Sequence, residues 1–304
     1  MANFNKLIKE RMRILDTAPE GFQDAVVKAQ ISIWKEIQDD FADLQTKDGK
    51  IIQSERNLII AEKIVAKLRT VTSTGDYIKA VSEFLQQYDQ LAQINNDLAR
   101  AINKGFKPNE FSAQIRQTFK EVGVQQLFTA PSLNSEIALR SNIIASITSG
   151  SSYRDLVESA REIVEGSPYT DGRMLANVKT VAATSMSVAD AAYSSHAAQL
   201  SGAEWYRYGG GTIKTSREFC IERDGKYFHK KEIQAWGRGD NAGGVGGINK
   251  EGEWDGQIEG TDASTIFLFR GGWNCRHYLI FVPISNVPQD VIQRNIANGN
   301  YKPQ

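Results

Sequence analysis

From the first residues to about position 200, apolar side chains recur every three or four positions, the spacing of one helix face. Trp34, Ile37, Phe41 and Leu44 step this way and predict one helix over Glu20 to Lys47, with Asp48-Gly49 as its turn. Ile52 to Arg69 repeats the pattern through Leu58, Ile59, Ala61 and Leu68. The cleanest stretch is Tyr77, Val81, Phe84, Tyr88, Leu91, Asn95, Leu98 and Ile102, a heptad seam with a single polar member. Such a seam serves either a helix of a bundle or a self-associating coiled coil whose register Asn95 fixes. Gly105 and Pro108 end it. Shorter helices are expected at 109–122, 134–149 and 152–165, with Ser132 and Ser152 as N-caps. Arg173 to Leu200 is another helix, rich in Ala, Ser and Thr, whose small side chains allow neighbouring backbones to approach. Gly202 suits its C-terminal cap.

After Gly202 the pattern changes. Ala203 to Tyr208 reads as a strand and Gly209-Gly210-Gly211 as a turn. Asp224-Gly225 signals a hairpin turn before a short strand over Lys226 to Phe228, and Lys230 to Trp236 as helical turns. Glycine is dense from Gly237 to Gly260, which predicts a long loop of the kind that is functional or disordered. Ser264 to Phe269 and His277 to Val282 are apolar β segments, and Gln289 to Ala297 is a closing helix. The expected fold class is therefore α+β. A largely helical region, 1–170, forms a bundle or coiled coil, and a small mixed α/β module follows over 171–304, with the Gly-rich loop 237–260.

Charge and size narrow the function. The 304 residues carry 36 basic and 36 acidic side chains, a balance that argues against a dedicated nucleic-acid binder. No run of apolar residues is long enough to span a membrane, and the first residues lack the apolar core of a secretion signal. Two cysteines make no disulfide framework, so the cytosol of the producing cell is the simplest compartment.

Chemistry-bearing residues concentrate in the last third, which holds both cysteines, two of the three histidines and four of the five tryptophans. Cys220, Cys275 and His277 offer the soft sulfur and imidazole donors that tetrahedral zinc takes, though not at zinc-finger spacing. Two other readings stand beside zinc: small buried hydrophobes, or a Cys220–Cys275 disulfide formed in an oxidising phase. His229, His277, Arg276 and Glu218 can be drawn as an acid–base set with a cationic clamp, suited to metal-free RNA cleavage. Gly243 to Gly247 has neither the strand before it nor the helix after it that a phosphate-binding loop needs. A plainer account makes the aromatic residues the core of a compact docking domain.

Thr215-Ser216-Arg217-Glu218-Phe219-Cys220, then Asp224-Gly225-Lys226, Lys231-Glu232-Ile233 with Trp236, and Gly271-Gly272-Trp273-Asn274-Cys275-Arg276-His277 resemble the C-terminal module of tailed-phage minor head proteins. These are head morphogenesis proteins typified by the Mu F and SPP1 minor capsid proteins, and the resemblance covers about 171–285. It implies a structural virion protein and not an enzyme. The protein would act in procapsid assembly, associated with the portal and with major capsid or scaffold protein, and would sit in the head interior or at the portal vertex after assembly in the host cytoplasm. A homo-oligomer, non-specific contact with packaged DNA, and no required cofactor go with it. Carried over by position, the motif residues are Arg217, Cys220, Gly225, Lys226, Trp236, Gly272, Asn274, Cys275, Arg276 and His277. Arg223 stands where a paired-cysteine variant has a second cysteine, so a four-cysteine zinc site is excluded. The resemblance also implies the alternative, a barnase-like metal-independent RNase or ejected effector carried in the head.

Overall fold

In a computed structural model of the chain, residues 2–273, 275 and 277–303 are described. The chain is predominantly helical with small antiparallel sheets, the α+β class expected. Helix α1 covers Ala2–Ile37 and continues as a 3-10 turn over Gln38–Asp43. A small hairpin follows, β1 Thr46–Lys47 and β2 Lys50–Ile51, turned by Asp48 and Gly49, both at positive φ. Next come α2 Glu55–Thr74, α3 Asp76–Ile102, α4 Glu110–Val124, a π-helical turn at Gln125–Thr129, α5 Ala130–Ser149, α6 Tyr153–Val164 and α7 Arg173–Ser201. The last third holds β3 Trp205–Gly209, α8 Glu218–Ile221, β4 Tyr227–His229, α9 Lys230–Trp236, α10 Ile266–Phe269, β5 Tyr278–Val282 and α11 Gln289–Ala297.

The residues fall into two compact units, each discontinuous in sequence. A mixed unit takes 1–16, 87–119 and 183–304, and a helical unit takes 17–86 and 120–182. Each therefore draws on both sides of residue 170, because α1, α3, α4 and α7 each run on from one unit into the other.

In the helical unit, α5 packs against α2 and α6. The Ile52–Arg69 face differs from expectation: Ile60, Ala61, Ile64, Val65 and Leu68 are buried, while Leu58 and Ile59 are exposed. Two shorter predicted helices instead form one helical run from Glu110 to Ser149. Pro131 lies inside it and lacks the N–H that would bond the carbonyl of Leu127. The Tyr77 hydroxyl donates to that carbonyl instead, and the π turn just before Pro131 absorbs the misfit. Ser132 is consequently an interior residue, not an N-cap. Ser152 holds the N-cap position of α6, but its hydroxyl makes no cap bond. Its neighbours Ser151 and Tyr153 bond instead to Ile51 and Gly49 of the hairpin.

In the mixed unit, the sheet has the order β4-β3-β5 with both pairings antiparallel. Every residue of β5 is buried. The small residues of α7 do lie against the sheet: Ala191, Ser194 and Ser195 line a gap with Tyr206 and Leu279. Gly202 follows α7 at φ +74°, the left-handed conformation expected of its cap. The β segment expected at Ser264 to Phe269 is a helical turn. Asp262 accepts from the backbone N–H of Ser264 and Thr265 while Thr265 Oγ1 accepts from Asp262 N–H, and this capping outweighs strand propensity.

The heptad seam is covered within the chain itself, since Tyr77, Val81, Phe84, Tyr88, Leu91, Asn95 and Leu98 are all buried. Asn95 does not fix the register of a second copy. Its amide donates to Asp190 of α7 and to the Leu91 carbonyl. Asp190 is itself clamped by Arg11, whose Nε and Nη2 reach the two carboxylate oxygens at 3.0 and 2.7 Å. Both side chains are essentially sealed from water. Asp190→Ala would leave the Arg11 charge buried and unpaired, with an expected loss of about 3–5 kcal/mol in unfolding free energy. Replacing both partners, Arg11→Met with Asp190→Leu, is expected to recover most of that loss. Urea unfolding of the single and double variants checks it, and a single-variant loss under about 1 kcal/mol would contradict a sealed ion pair.

Candidate metal centre

The segments singled out in the last third converge in the mixed unit. Arg217 precedes α8, whose four residues carry Phe219 and Cys220 inward. Asp224 and Gly225 then turn the chain back toward β4. Gly225, at φ +75°, donates its N–H to the Tyr208 carbonyl, while the Lys226 carbonyl accepts from Tyr208 N–H. The Lys226 side chain stays exposed beside Glu222. The Asp-Gly-Lys motif thus extends the pairing of β3 as far as Tyr208 rather than closing a two-residue hairpin.

Tyr208 stands over the cysteines. Its hydroxyl lies 3.4 Å from Cys220 Sγ and 3.8 Å from Cys275 Sγ, and the two sulfurs are 3.6 Å apart. His277 Nδ1 is 3.8 Å from Cys275 Sγ, and its ring stacks on Tyr208 at 5.3 Å. Cys220, Cys275 and His277 are the one set of three or more Cys, His, Asp and Glu residues gathered closely enough to hold a metal ion among the described residues. Both cysteines are free thiols. The passage from Phe269 to Trp273 wraps the sulfurs closely. A Cβ on Gly271 would strike both of them, and Gly272, at φ +93°, runs against the Gly256 carbonyl. Arg217 fixes this wrap by donating to the carbonyls of Gly271 and Trp273. Asn274 and Arg276 lie outside the described residues.

The two thiols are pushed in opposite directions. The Cys275 thiol is held well below its ordinary range by its hydrogen bond with Cys220, and after that by His277 and the charge of Arg270. Cys220, as the donor of that bond and a buried group, is pushed up. Burial pushes the Tyr208 hydroxyl up as well. Arg270 is buried and donates to the carbonyl and hydroxyl of Ser187 on α7. Tyr208, Asp224 and Arg270 were missed as site residues, because their sequence signals were those of a strand aromatic, a turn residue and an ordinary cation.

Trp236 is fully buried; its indole N–H donates to the Ala242 carbonyl, and its ring meets Phe228, Phe219 and Tyr208 edge-on. Arg223 is packed against the Phe219 and Trp236 rings, its charge 3.7 and 4.5 Å from their centres. The glycine-dense segment 237–260 has no strands, as expected, yet it is firmly packed. Val245, Ile248 and Trp254 are buried, Trp254 stacks on Phe219 at 4.4 Å, and the Gly246 carbonyl accepts from Arg223.

Of the acid–base set, the described members His229 and His277 lie against different residues of β3. His229 N-caps α9: its Nδ1 accepts from Lys231 N–H, Glu232 returns a bond to the His229 N–H, and its ring packs on Trp205. His277 stacks on Tyr208, and Trp205 and Tyr208 are three positions apart on β3, about 10 Å along a strand. Glu218 is exposed at the start of α8. The two histidines thus serve different places, one a helix cap and the other a sulfur cluster.

Burial drives His229 down to about 4 from an ordinary value near 6.5. The folded state keeps it neutral while the unfolded chain takes up a proton below about 6.5. Its contribution is therefore whole above that pH and is lost as pH falls toward 4, by up to about 3 kcal/mol. His229→Asn keeps a capping side chain without the titration. Guanidinium unfolding at pH 7 and pH 4.5 is expected to show a smaller fall for the variant than for the wild type, and parallel falls would refute it.

Comparison with protein-family models, with curated proteins and with solved structures finds no match to this chain.

Proposed function

We propose that this chain is a minor head protein of a tailed bacteriophage, acting in head assembly by docking to the portal and inner capsid and remaining at those sites in the virion. The observation that carries the reading is convergence. The stretch 217–236 and the segment 271–277, which together resemble the minor head module, are separated by the long loop, and Arg217, Cys220, Trp236, Gly271, Trp273, Cys275 and His277 meet around one sulfur cluster and one aromatic core. That the motif residues fall within one folded unit supports the reading. The balanced charge suits protein–protein contact, with any DNA contact weak and sequence-blind.

Docking in this reading is by surface complementarity. Trp273 is 57% exposed although both its neighbours in the Gly-Gly-Trp wrap are buried. Tryptophan is the side chain most often found to dominate an interface, through its large rigid area. The backbone under Trp273 is pinned by Arg217 and by its own N–H bond to Gly256, so the ring is presented from a fixed base.

Co-expression with the portal, capsid and scaffold proteins of the phage proposed to carry this chain tests this. The full chain is expected to co-purify with an assembled portal or capsid oligomer, and Trp273→Ala to weaken that association at least tenfold with unchanged melting. Failure to associate with any of the three would overturn the assignment. Association unchanged in Trp273→Ala would leave the assignment and remove this residue as the anchor.

A further inference from the structure

We propose that Cys220, Cys275, His277 and Tyr208 hold one zinc ion, and that its role is to tie the C-terminal segment together. This goes beyond the docking reading and does not depend on it.

The distances carry the inference. On a tetrahedral zinc with bonds of about 2.3 Å to sulfur and about 2.0 Å to nitrogen or oxygen, two thiolates stand about 3.8 Å apart, and sulfur lies about 3.5 Å from either lighter donor. The two sulfurs here are 3.6 Å apart, Cys275 Sγ is 3.8 Å from His277 Nδ1, and the Tyr208 oxygen is 3.4 and 3.8 Å from the two sulfurs. The three Cys and His donor atoms all lie within 4.8 Å of one another. Two sulfurs and an imidazole nitrogen thus stand close enough to share one zinc ion, and the Tyr208 oxygen lies beside both sulfurs, where a fourth donor belongs. Two sulfurs and an imidazole select a soft, tetrahedral ion over magnesium or calcium.

The far side of the imidazole is consistent with this. A ligating histidine ordinarily offers its other ring N–H to a carboxylate, which fixes the tautomer. His277 Nε2 is buried without a hydrogen-bond partner and faces Asp224 Oδ1 at 3.8 Å. Asp224 is held by accepting the Gly211 N–H, so the carboxylate is anchored where that role needs it. A disulfide explains less. It would require the sulfurs to close to about 2.05 Å, and it gives neither the inward Nδ1 nor the Tyr208 hydroxyl a part.

All four positions are protein side chains and the cluster is largely buried, which marks a closed, structural site. Its ligands come from β3, α8 and the chain just before β5, so one ion would cross-link three segments, the last of them 55 residues beyond Cys220. Binding displaces a proton from each thiol still protonated, and the metal's binding energy then adds to the stability of the fold.

The test uses the full chain, expressed with zinc in the medium and purified under reducing conditions without chelators. Elemental analysis is expected to give one zinc per chain, and Cys220→Ser and His277→Asn to reduce it at least tenfold. Replacing the zinc with cobalt is expected to give a thiolate-to-metal charge-transfer band and the intense visible bands of tetrahedral cobalt. Tyr208→Phe, which removes only the oxygen, is expected to retain metal with altered cobalt bands and weaker affinity. A wild-type protein that contains no zinc, takes up neither zinc nor cobalt after reduction, and melts identically with and without chelator would overturn the proposal. So would a Cys220–Cys275 disulfide in protein purified without oxidant. The cobalt spectrum keeps the test decisive if the cysteine variants fail to fold.

Discussion

The mixed unit is organised around a charge that has no access to water. Asp190 sits on α7 with only 2% of its surface exposed, where an unpaired carboxylate would cost several kcal/mol. Arg11 of α1 gives it two parallel hydrogen bonds, Asn95 of α3 gives it a third, and Arg11 Nη1 goes on to the Leu279 carbonyl of β5. Three helices and a strand are thus bound to one another's positions by a single buried group. A planar guanidinium facing a carboxylate tolerates little rotation, so the network fixes orientation as well as proximity.

From β5 the constraint passes to β3, its partner over five residue pairs, and from β3 to the cluster. Trp205, near one end of β3, packs on the capping histidine of α9, and Tyr208, near the other, stacks on His277 and reaches both cysteines. The central strand separates two histidine environments that a sequence-level drawing would merge. In one, burial and a backbone N–H keep the imidazole neutral, as a cap requires. In the other, sulfur, phenol and carboxylate surround the ring. The division keeps the two histidines in different surroundings, although both belong to the acid–base set drawn from the sequence.

How much of this was legible follows the range of each interaction. The helix periodicities of α3 and α7, the left-handed glycine after α7 and the strands β3, β4 and β5 depend on near neighbours and are readable from spacing. Ser264 to Phe269 failed because a local Asp262–Thr265 cap competes with strand propensity, and one apolar run suits either. The Glu110–Ser149 run failed at Pro131, where the missing donor is made good by Tyr77, some fifty residues earlier. At the cluster, Cys220, Cys275 and His277 were visible as donor types, but Tyr208 and Asp224 were not. Their relevance comes only from the antiparallel pairing that carries β3 past the turn at Gly225. Helix gives way to mixed structure only after α7, some thirty residues beyond the expected division at 170. Compactness does not follow it, since long helices contribute to both units.

The glycine-dense segment 237–260 shows how a chain without secondary structure becomes a fixed part of the module. Its glycines supply backbone paths that side chains would block; a Cβ on Gly247, for example, would run into the backbone of Phe219. Order then comes from three apolar anchors, Val245, Ile248 and Trp254, and from the reciprocal bonds between Asn241 and Ile248. Arg223 is the hinge of the arrangement. Burial lowers it to about 10, still charged at neutral pH, and no carboxylate pairs with it among the described residues. It is stabilised instead by the carbonyls of Phe219 and Gly246 and by two aromatic faces. Its Nη1 donates to one carbonyl of α8 and one of the loop, so the loop supplies part of what the buried cation meets. The loop also packs on α8 at Phe219, through the Trp254 ring and the close approach of Gly247, which joins it to the aromatic core next to Cys220.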